Sequence, residues 1–235
     1  MPTRIAWTEE TWNPVTGCRK VSPGCDHCYA ERLTQRWGGD FRQVTLHPER
    51  LDRPLSWRRP RLVFTCSMAD LFCEYVPLPF ICQVFDRMIW APQHTFQILT
   101  KRPGRMVAVA RAYGGGWPCN AWAGVSVEST KYLPRLDVLA RVPAAVRFVS
   151  CEPLLGPLDL RPWFSGILSW VIVGGESGPG YRPMLVQWVQ DIAAQCHEAG
   201  VPLFVKQDSG AVPGKQGRLP DMLWGLKQMP MKMEE

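Results

Sequence analysis

Three cysteines lie close together near the start of the chain, at Cys18, Cys25 and Cys28. A cysteine thiolate is a soft metal ligand, and Gly17 and Gly24 can bend the backbone so that the three thiolates surround one centre. A [4Fe-4S] cluster takes cysteine thiolates as ligands, and three ligands leave one of its irons open to a small molecule. The pattern therefore predicts an iron–sulfur site held by these three cysteines.

The residues after Cys28 have the periodicity of a helix. Tyr29, Leu33 and Trp37 recur every four positions, and the glycines at positions 38 and 39 end the run. The cysteines are therefore expected on a loop that leads into a helix.

The rest of the chain alternates short apolar runs with amphipathic stretches. Strands are predicted at residues 4–7, 62–66, 96–100, 121–126, 146–150, 170–173 and 203–206. The later runs begin about 25 to 35 residues apart, which suits strand–helix–strand crossovers. Helices are predicted in the gaps, one opened by Pro79 and one ended by Gly200. This order predicts an α/β fold with a parallel sheet, either a closed barrel, a partial barrel or an open doubly wound sheet.

Polar residues follow most of the predicted strands. They are Asp70, Thr100, Lys101, Arg102, Ser126, Glu128, Ser150, Glu152, Glu176, Ser177, Lys206 and Gln207, and Gly174 and Gly175 stand directly before Glu176. The carboxyl ends of parallel strands meet at one edge, where the active sites of such folds lie, so these residues are expected around one cavity mouth. About half of them could instead cap helices, an interpretation that applies best to Ser126 and Ser177.

Three segments together resemble a known family. They are WNPVTGC at 12–18, CDHCYAER at 25–32 and GGESG at 174–178. With the β/α order, they resemble the radical S-adenosylmethionine superfamily, and more closely a phage-associated branch of mostly unassigned function. The chain departs from the superfamily pattern at two points. Six residues separate Cys18 from Cys25 where three are usual, and His27 stands where an aromatic residue is usual.

The resemblance implies a fold, a second cofactor and a reaction. The fold is a partial (β/α) barrel, with the cysteine loop after a short N-terminal strand. S-adenosylmethionine would bind the open iron, and an external electron donor would supply the electron that cleaves it. The resulting radical would abstract hydrogen from an unidentified substrate, and the basic charge of the chain favours an anionic one such as a nucleic acid or nucleotide.

Candidate cofactor contacts come from the strand ends. Two glycines permit close backbone approach, so Glu176, after Gly174 and Gly175, is the leading candidate for contact with the ammonium group of S-adenosylmethionine. Glu128, with Ser126, is the next candidate, for the ribose hydroxyls.

Three further residues are candidates for a catalytic role. Cys66 and Cys151 end predicted strands and could act as hydrogen-atom donors or extra ligands, although small buried core cysteines are commoner. Lys206 is the third, at the end of the last strand.

Composition is compatible with one cytoplasmic domain. The 235 residues are 46% hydrophobic, carry a net charge of +6, and contain neither a signal segment nor a long apolar run, so no membrane partner is expected. Nine cysteines, mostly scattered, fit a reducing cytosol. A single domain over 1–235 is predicted, with an arginine-rich insertion at about 40–61 that could face an anionic substrate and a loop-rich tail from about 210.

Two other classes of protein remain open. Cys18, Cys25 and Cys28 with His27, His47 or a distant cysteine could close a structural zinc site in a nucleic-acid-binding protein without catalysis. An ordinary β/α hydrolase or transferase could use Asp70, Glu128, Glu152 or Lys206 as acid–base groups, but it leaves the three cysteines unexplained.

Overall fold

The computed structural model describes residue 3 and residues 5–230. Its strands are β1 (Glu10–Trp12), β2 (Val15–Thr16), β3 (Thr45–Leu46), β4 (Leu62–Thr65), β5 (Thr95–Thr100), β6 (Ala121–Ser126), β7 (Arg147–Cys151), β8 (Trp170–Gly174) and β9 (Leu203–Gln207). The helices are α1 (Tyr29–Arg36), α2 (Leu78–Ile89), α3 (Pro103–Ala112), α4 (Pro134–Leu139), α5 (Val186–Ala199) and α6 (Asp221–Trp224).

Seven strands form one parallel sheet in the order β1-β4-β5-β6-β7-β8-β9. The sheet is curled into a half-barrel, which confirms the predicted partial (β/α) barrel. Strands β2 and β3 form a separate antiparallel pair. Because the seven strands are parallel, all of their carboxyl ends, and the loops that leave them, lie at one edge.

Six predicted strands are confirmed to within one residue at each end, while the first is wrong. Residues 6 and 7 form a turn, and the first strand of the sheet is Glu10–Trp12; Arg4 lies outside the described residues. The physical reason is packing, because the Trp7 ring lies 4.6 Å from that of Phe64 and closes one end of the half-barrel.

The two faces of the sheet have different partners. In β8, Val171 and Val173 pack into the core shared with the outer helices, while Trp170 and Ile172 alternate with them onto the concave face. Apolar residues of the amphipathic helices, such as Ile81 and Ile192, complete the outer core.

Aromatic side chains fill the amino-terminal end of the concave face. The Trp170 ring lies 6.1 Å from Trp7, 5.9 Å from Trp122 and 5.5 Å from Phe148, measured between ring centroids. Position 124 must be glycine, since a side chain there would overlap the Phe148 ring. The half-barrel is therefore packed where its strands begin, and its polar groups lie where they end.

Within the described residues, no helix combines the length and apolar character needed to cross a bilayer.

A buried carboxylate anchors the loop that follows β9. Asp208 accepts hydrogen bonds from the backbone nitrogen and Nε of Arg218 at 2.7 and 2.9 Å, and from the backbone nitrogen of Ser209 at 2.7 Å. Burial alone would raise the pKa of Asp208, but the hydrogen bonds from Arg218 outweigh burial and lower this pKa below its ordinary value of 3.8.

We predict that Asp208→Asn lowers the free energy of unfolding at pH 7 by about 1.5–3 kcal/mol, the usual worth of a hydrogen-bonded charge. A lowered folded-state pKa stabilises the protein above the ordinary carboxyl pKa and ceases to do so as the pH falls through the folded-state value. The difference in free energy of unfolding between the wild type and Asp208→Asn should therefore be constant above about pH 5 and become smaller below about pH 4. Urea unfolding at each pH measures it. Asp159→Asn, in an exposed pair with Arg161, is the control and should change stability by less than about 0.5 kcal/mol. A deficit that does not change between pH 7 and pH 3 would contradict the assignment.

Candidate functional site

The three cysteines of the N-terminal loop line one cavity at the carboxyl edge of the sheet. The cavity measures about 150 Å³. The strand-end residues around it are Cys66, Ser67, Asp70, Thr100, Lys101, Arg102 and Ser126. The structure thus brings the predicted ligands together with the residues that follow β4, β5 and β6.

Cys18 is held by the backbone on both sides. The Gly17 nitrogen donates to the Met68 carbonyl at 3.0 Å, and the Cys18 nitrogen donates to the Phe41 carbonyl at 2.8 Å. Gly17 has a φ of +84°, and a side chain there would overlap the carbonyl of Gln43. Only glycine therefore lets the chain enter the cysteine loop at this point.

Arg102, which follows β5, contacts both Cys18 and Asp70, which follows β4. Its Nη1 lies 3.6 Å from the Cys18 sulfur and donates to Asp70 at 3.2 Å, while its Nη2 donates to the Arg19 carbonyl at 2.8 Å. Asp70 in turn accepts from the Thr100 hydroxyl at 2.7 Å. The Arg102 cation lowers the pKa of the Cys18 thiol, but its effect is smaller than those of the neighbouring Cys73 thiol and of burial, which raise this pKa.

A fourth thiol, which the sequence spacing did not associate with the site, lies beside Cys18. The interaction between the two neighbouring thiols raises the pKa of Cys18 and lowers that of Cys73. Only the fold brings Cys73 here, because it follows Asp70 in the loop between β4 and α2.

The other two cysteines lie at the end of the loop. Cys25 ends a short 3-10 turn, and Cys28 is the residue before α1, as predicted. Backbone N–H groups at a helix N-terminus favour a nearby negative charge, so the position of Cys28 suits a thiolate.

The thiols are spread around the cavity rather than gathered at a point. Among the residues that the structure describes, no three His, Cys, Asp or Glu side chains converge closely enough to hold a single metal ion. Of the two histidines considered as zinc ligands, His27 bonds Glu176 at 2.8 Å and His47 contacts the Thr16 hydroxyl at 2.8 Å.

Glu176 is buried, and the structure occupies both of its carboxylate oxygens. Oε2 contacts His27 and accepts from the Arg182 nitrogen and Nε at 2.8 and 2.9 Å, while Oε1 accepts from Nη2 of Arg182. Burial alone would raise the pKa of Glu176, but hydrogen bonds from Arg182 and His27 lower it to about 2. Its carboxylate is thus ionised and already fully paired.

The two glycines before Glu176 make room for protein atoms. A side chain at Gly175 would overlap the backbone nitrogen of Ser209, and one at Gly174 would lie 3.3 Å from the Glu152 carboxyl carbon. Close packing against the backbone after β9 therefore accounts for glycine at position 175, whereas position 174 has only a tight contact with the Glu152 side chain.

Glu128 is fully buried and keeps one oxygen free. Oε2 accepts from Arg135 at 2.8 Å, whereas Oε1 has no hydrogen-bond partner among the described residues. That oxygen faces Gly24 of the cysteine loop. Ser126, two residues earlier, is buried and lines the cavity.

The three candidates for a catalytic role lie in different surroundings. Cys66 lines the cavity, and burial raises the pKa of its thiol. Cys151 lies in the outer core on the helix side of the sheet, so its side chain faces away from the cavity. Lys206 is paired with Glu152.

The arginine-rich insertion at 40–61 extends to the opposite edge of the sheet. Arg53 and Arg61 contact the Glu10 carboxylate at 3.9 and 3.0 Å, beside the start of β1 and β4. Arg58 and Arg59 immediately precede Arg61 and β4. The arginines after Asp52 therefore lie where the strands begin and not at the cavity.

The fold and the cavity define a parallel α/β half-barrel protein with three cysteines around its open end. The chain belongs to the family described as "Protein of unknown function (DUF5131)", whose family model matches residues 2–223. No curated protein matches the chain. A spore photoproduct lyase mutant of solved structure is similar over 72% of this chain, with 10% sequence identity and a TM-score of 0.49. The match covers 56% of the lyase chain, so this chain spans just over half of its length.

Proposed function

We propose that the protein is a radical S-adenosylmethionine enzyme of the phage-associated branch that its motifs resemble. The observation that carries the proposal is the placement of Cys18, Cys25 and Cys28 around one cavity at the carboxyl edge of a parallel half-barrel. Cofactor chemistry in β/α folds takes place at this edge, because the strand-end loops meet there.

The residues around the cavity fit a [4Fe-4S] cluster better than a zinc ion. A single zinc ion needs ligands converging at about 2.0–2.3 Å, and the described side chains offer no such set. A four-iron cluster presents a separate iron to each thiolate, so its ligands stand apart. Arg102 and the N-terminal N–H groups of α1 place positive charge beside Cys18 and Cys28, which suits a group bound through anionic sulfur.

Cys18, Cys25 and Cys28 would hold the cluster, which when bound would supply the electron for cleavage of S-adenosylmethionine and so for abstraction of hydrogen from the substrate. The protein's own residues bind, orient and exclude water. The aromatic packing around Trp170 closes the amino-terminal end of the half-barrel. Glu128 and Ser126 are the proposed contacts of the ribose hydroxyls, since Oε1 of Glu128 is a free buried acceptor.

The proposal also includes an electron donor and a cytoplasmic location. The electron comes from an external donor. The described cysteines are all free thiols, which suits a reducing cytoplasm.

Purified without oxygen, the protein should be brown and hold iron and sulfide in the ratio of about one four-iron cluster per chain. Alanine at Cys18, Cys25 or Cys28 should abolish the colour, because each supplies one of three ligands. Cys119→Ala is the matched control, since Cys119 is exposed in the loop before β6, at the other edge of the sheet. Stoichiometric zinc without retained iron in the reconstituted wild type would replace this proposal with a structural zinc protein.

With a strong reductant, the loaded protein should cleave S-adenosylmethionine to methionine and 5′-deoxyadenosine even without its substrate. Glu128→Gln should weaken S-adenosylmethionine binding about 10- to 100-fold, because it removes a charged acceptor, and should leave the iron content unchanged. Glu198→Gln, on the exposed side of α5, is the control. A wild type that holds a full cluster yet neither binds nor cleaves S-adenosylmethionine would refute the mechanism.

The cavity rim favours an anionic substrate. Arg19 and Lys101 line the cavity, and neither makes an ion pair within the part of the chain that the structure describes. The Arg19 guanidinium lies 5.1 Å from the ring of Tyr75, which is 56% exposed. An exposed ring beside unpaired cations suits a base and its phosphate.

We therefore predict that Arg19→Gln and Lys101→Gln each weaken binding of a short single-stranded oligonucleotide. Each change should also reduce the slope of log affinity against log salt by about one unit or less, as expected when one phosphate contact is lost. Fluorescence anisotropy over a salt series measures both quantities. Arg58→Gln and Arg59→Gln, at the opposite edge, are the controls and should have little effect. The reverse pattern would assign substrate binding to the basic insertion.

A further inference from the structure

The segment that follows β8 contacts three residues of the cysteine loop, which are Pro23, Asp26 and His27. Oε2 of Glu176 bonds Nδ1 of His27 at 2.8 Å. Arg182 donates from Nη2 to the Pro23 carbonyl at 2.8 Å, and its Nη1 lies 3.5 Å from Asp26. These contacts join residues up to 159 positions apart in the sequence.

The same segment also holds the helix that follows Cys28. Arg32 of α1 donates to the carbonyl of Ser177. Gly178 has a φ of +104°, and a side chain there would overlap the Arg32 guanidinium, so the two segments are in direct contact. The loop is therefore held on both sides of Cys28.

Glu176, which makes these contacts, is itself buried and is held by residues that follow β9. Glu176 is 5% exposed, and its carbonyl accepts from the Gly210 nitrogen at 3.0 Å. Gly175 packs against the backbone of Ser209. Nε and Nη2 of Arg182 donate to the two different carboxylate oxygens of Glu176, and this two-bonded fork fixes the orientation of both side chains.

The cysteine loop has little regular structure of its own. Between Cys18 and Cys28 its only regular element is the three-residue turn Pro23–Cys25. The separation of Cys25 from Cys28 therefore depends on contacts from outside the loop.

These contacts leave Glu176 no free oxygen for an ammonium group. Oε1 is taken by Arg182, and Oε2 by both Arg182 and His27. A different role follows from what the carboxylate already holds.

We propose that Glu176 is a positioning residue which, together with Arg182, latches the cysteine loop to the end of β8 and so sets the positions of Cys25 and Cys28. The effect on the geometry of a cluster rests on the proposed function. The contacts of Glu176 and Arg182 with the loop do not require a metal.

The first test uses the full-length metal-free protein. Alkylation rates of Cys25 and Cys28 are measured by mass spectrometry, with the exposed Cys119 as internal reference. Glu176→Gln should raise both rates at least about tenfold, since loss of a charge-assisted bond favours opening of the loop by that factor or more. Arg182→Lys, which keeps the charge but loses the fork, should raise them by less.

Asp208→Asn is the matched control. It removes an equally buried carboxylate with an arginine partner after the neighbouring strand, and within the described part of the chain neither side chain of that pair bonds to the cysteine loop. Its alkylation rates should equal those of the wild type, even if its melting temperature falls as much as that of Glu176→Gln. Equal rates in Glu176→Gln and wild type, or equal increases in both variants, would overturn the inference.

The second test uses the iron-loaded protein. Glu176→Gln should shift the reduction potential and the electron paramagnetic resonance spectrum of the reduced cluster, whereas Asp208→Asn should shift neither. Weaker S-adenosylmethionine binding with an unchanged spectrum and unchanged alkylation would instead assign Glu176 to the ammonium group. A wild type that retains no iron while its loop still opens in Glu176→Gln would refute the proposed function and support the latch.

Discussion

The structure depends on one constraint: a loop with almost no regular structure must hold three cysteines in a defined arrangement. Contacts from the ends of several strands meet this constraint. Arg102 and Asp70 hold the Cys18 side, and Glu176 with Arg182 holds the side that carries Cys25 and Cys28. Because the parallel strands follow chain order, all of these groups reach the loop from the same edge.

The two ends of the half-barrel differ in a way that suits reactive chemistry. The amino-terminal end is filled by aromatic rings around Trp170, and the carboxyl end keeps buried polar groups such as Glu128 and Ser126. The Glu128 carboxylate is paired with Arg135 through Oε2, while its buried Oε1 has no partner among the described residues and can accept a hydrogen bond. The cavity therefore lies at the polar end, among the cysteine loop and the strand-end residues.

The sequence predicts the local features well because local physics decides them. Buried strands such as Trp170–Gly174 are apolar and β-branched runs, and α5 ends at Gly200, whose φ of +66° suits glycine. Strand Glu10–Trp12 was missed because it is short and polar and takes its place by pairing with β4.

The parts that could not be predicted depend on contacts between distant residues. Cys73 reaches Cys18 only through the β4–α2 loop, and nothing near Glu176 in the sequence indicates its pairing with His27, 149 positions away. The sequence also does not show where the arginines of the insertion lie: Arg61, directly before β4, pairs with Glu10 at the edge far from the cavity. The order of strands and polar residues therefore predicted part of the cavity lining, such as Asp70, Arg102 and Ser126, and tertiary contacts decide which polar atoms there keep no partner.

The central claim is that three cysteines hold a four-iron cluster with one iron open to S-adenosylmethionine. Mössbauer spectroscopy of protein reconstituted with isotopically enriched iron tests it most directly, because it distinguishes individual iron sites. The account predicts that one iron of the four differs from the other three and that its isomer shift changes when S-adenosylmethionine is added. Four irons that do not respond to S-adenosylmethionine, or a protein that retains no iron, would contradict it.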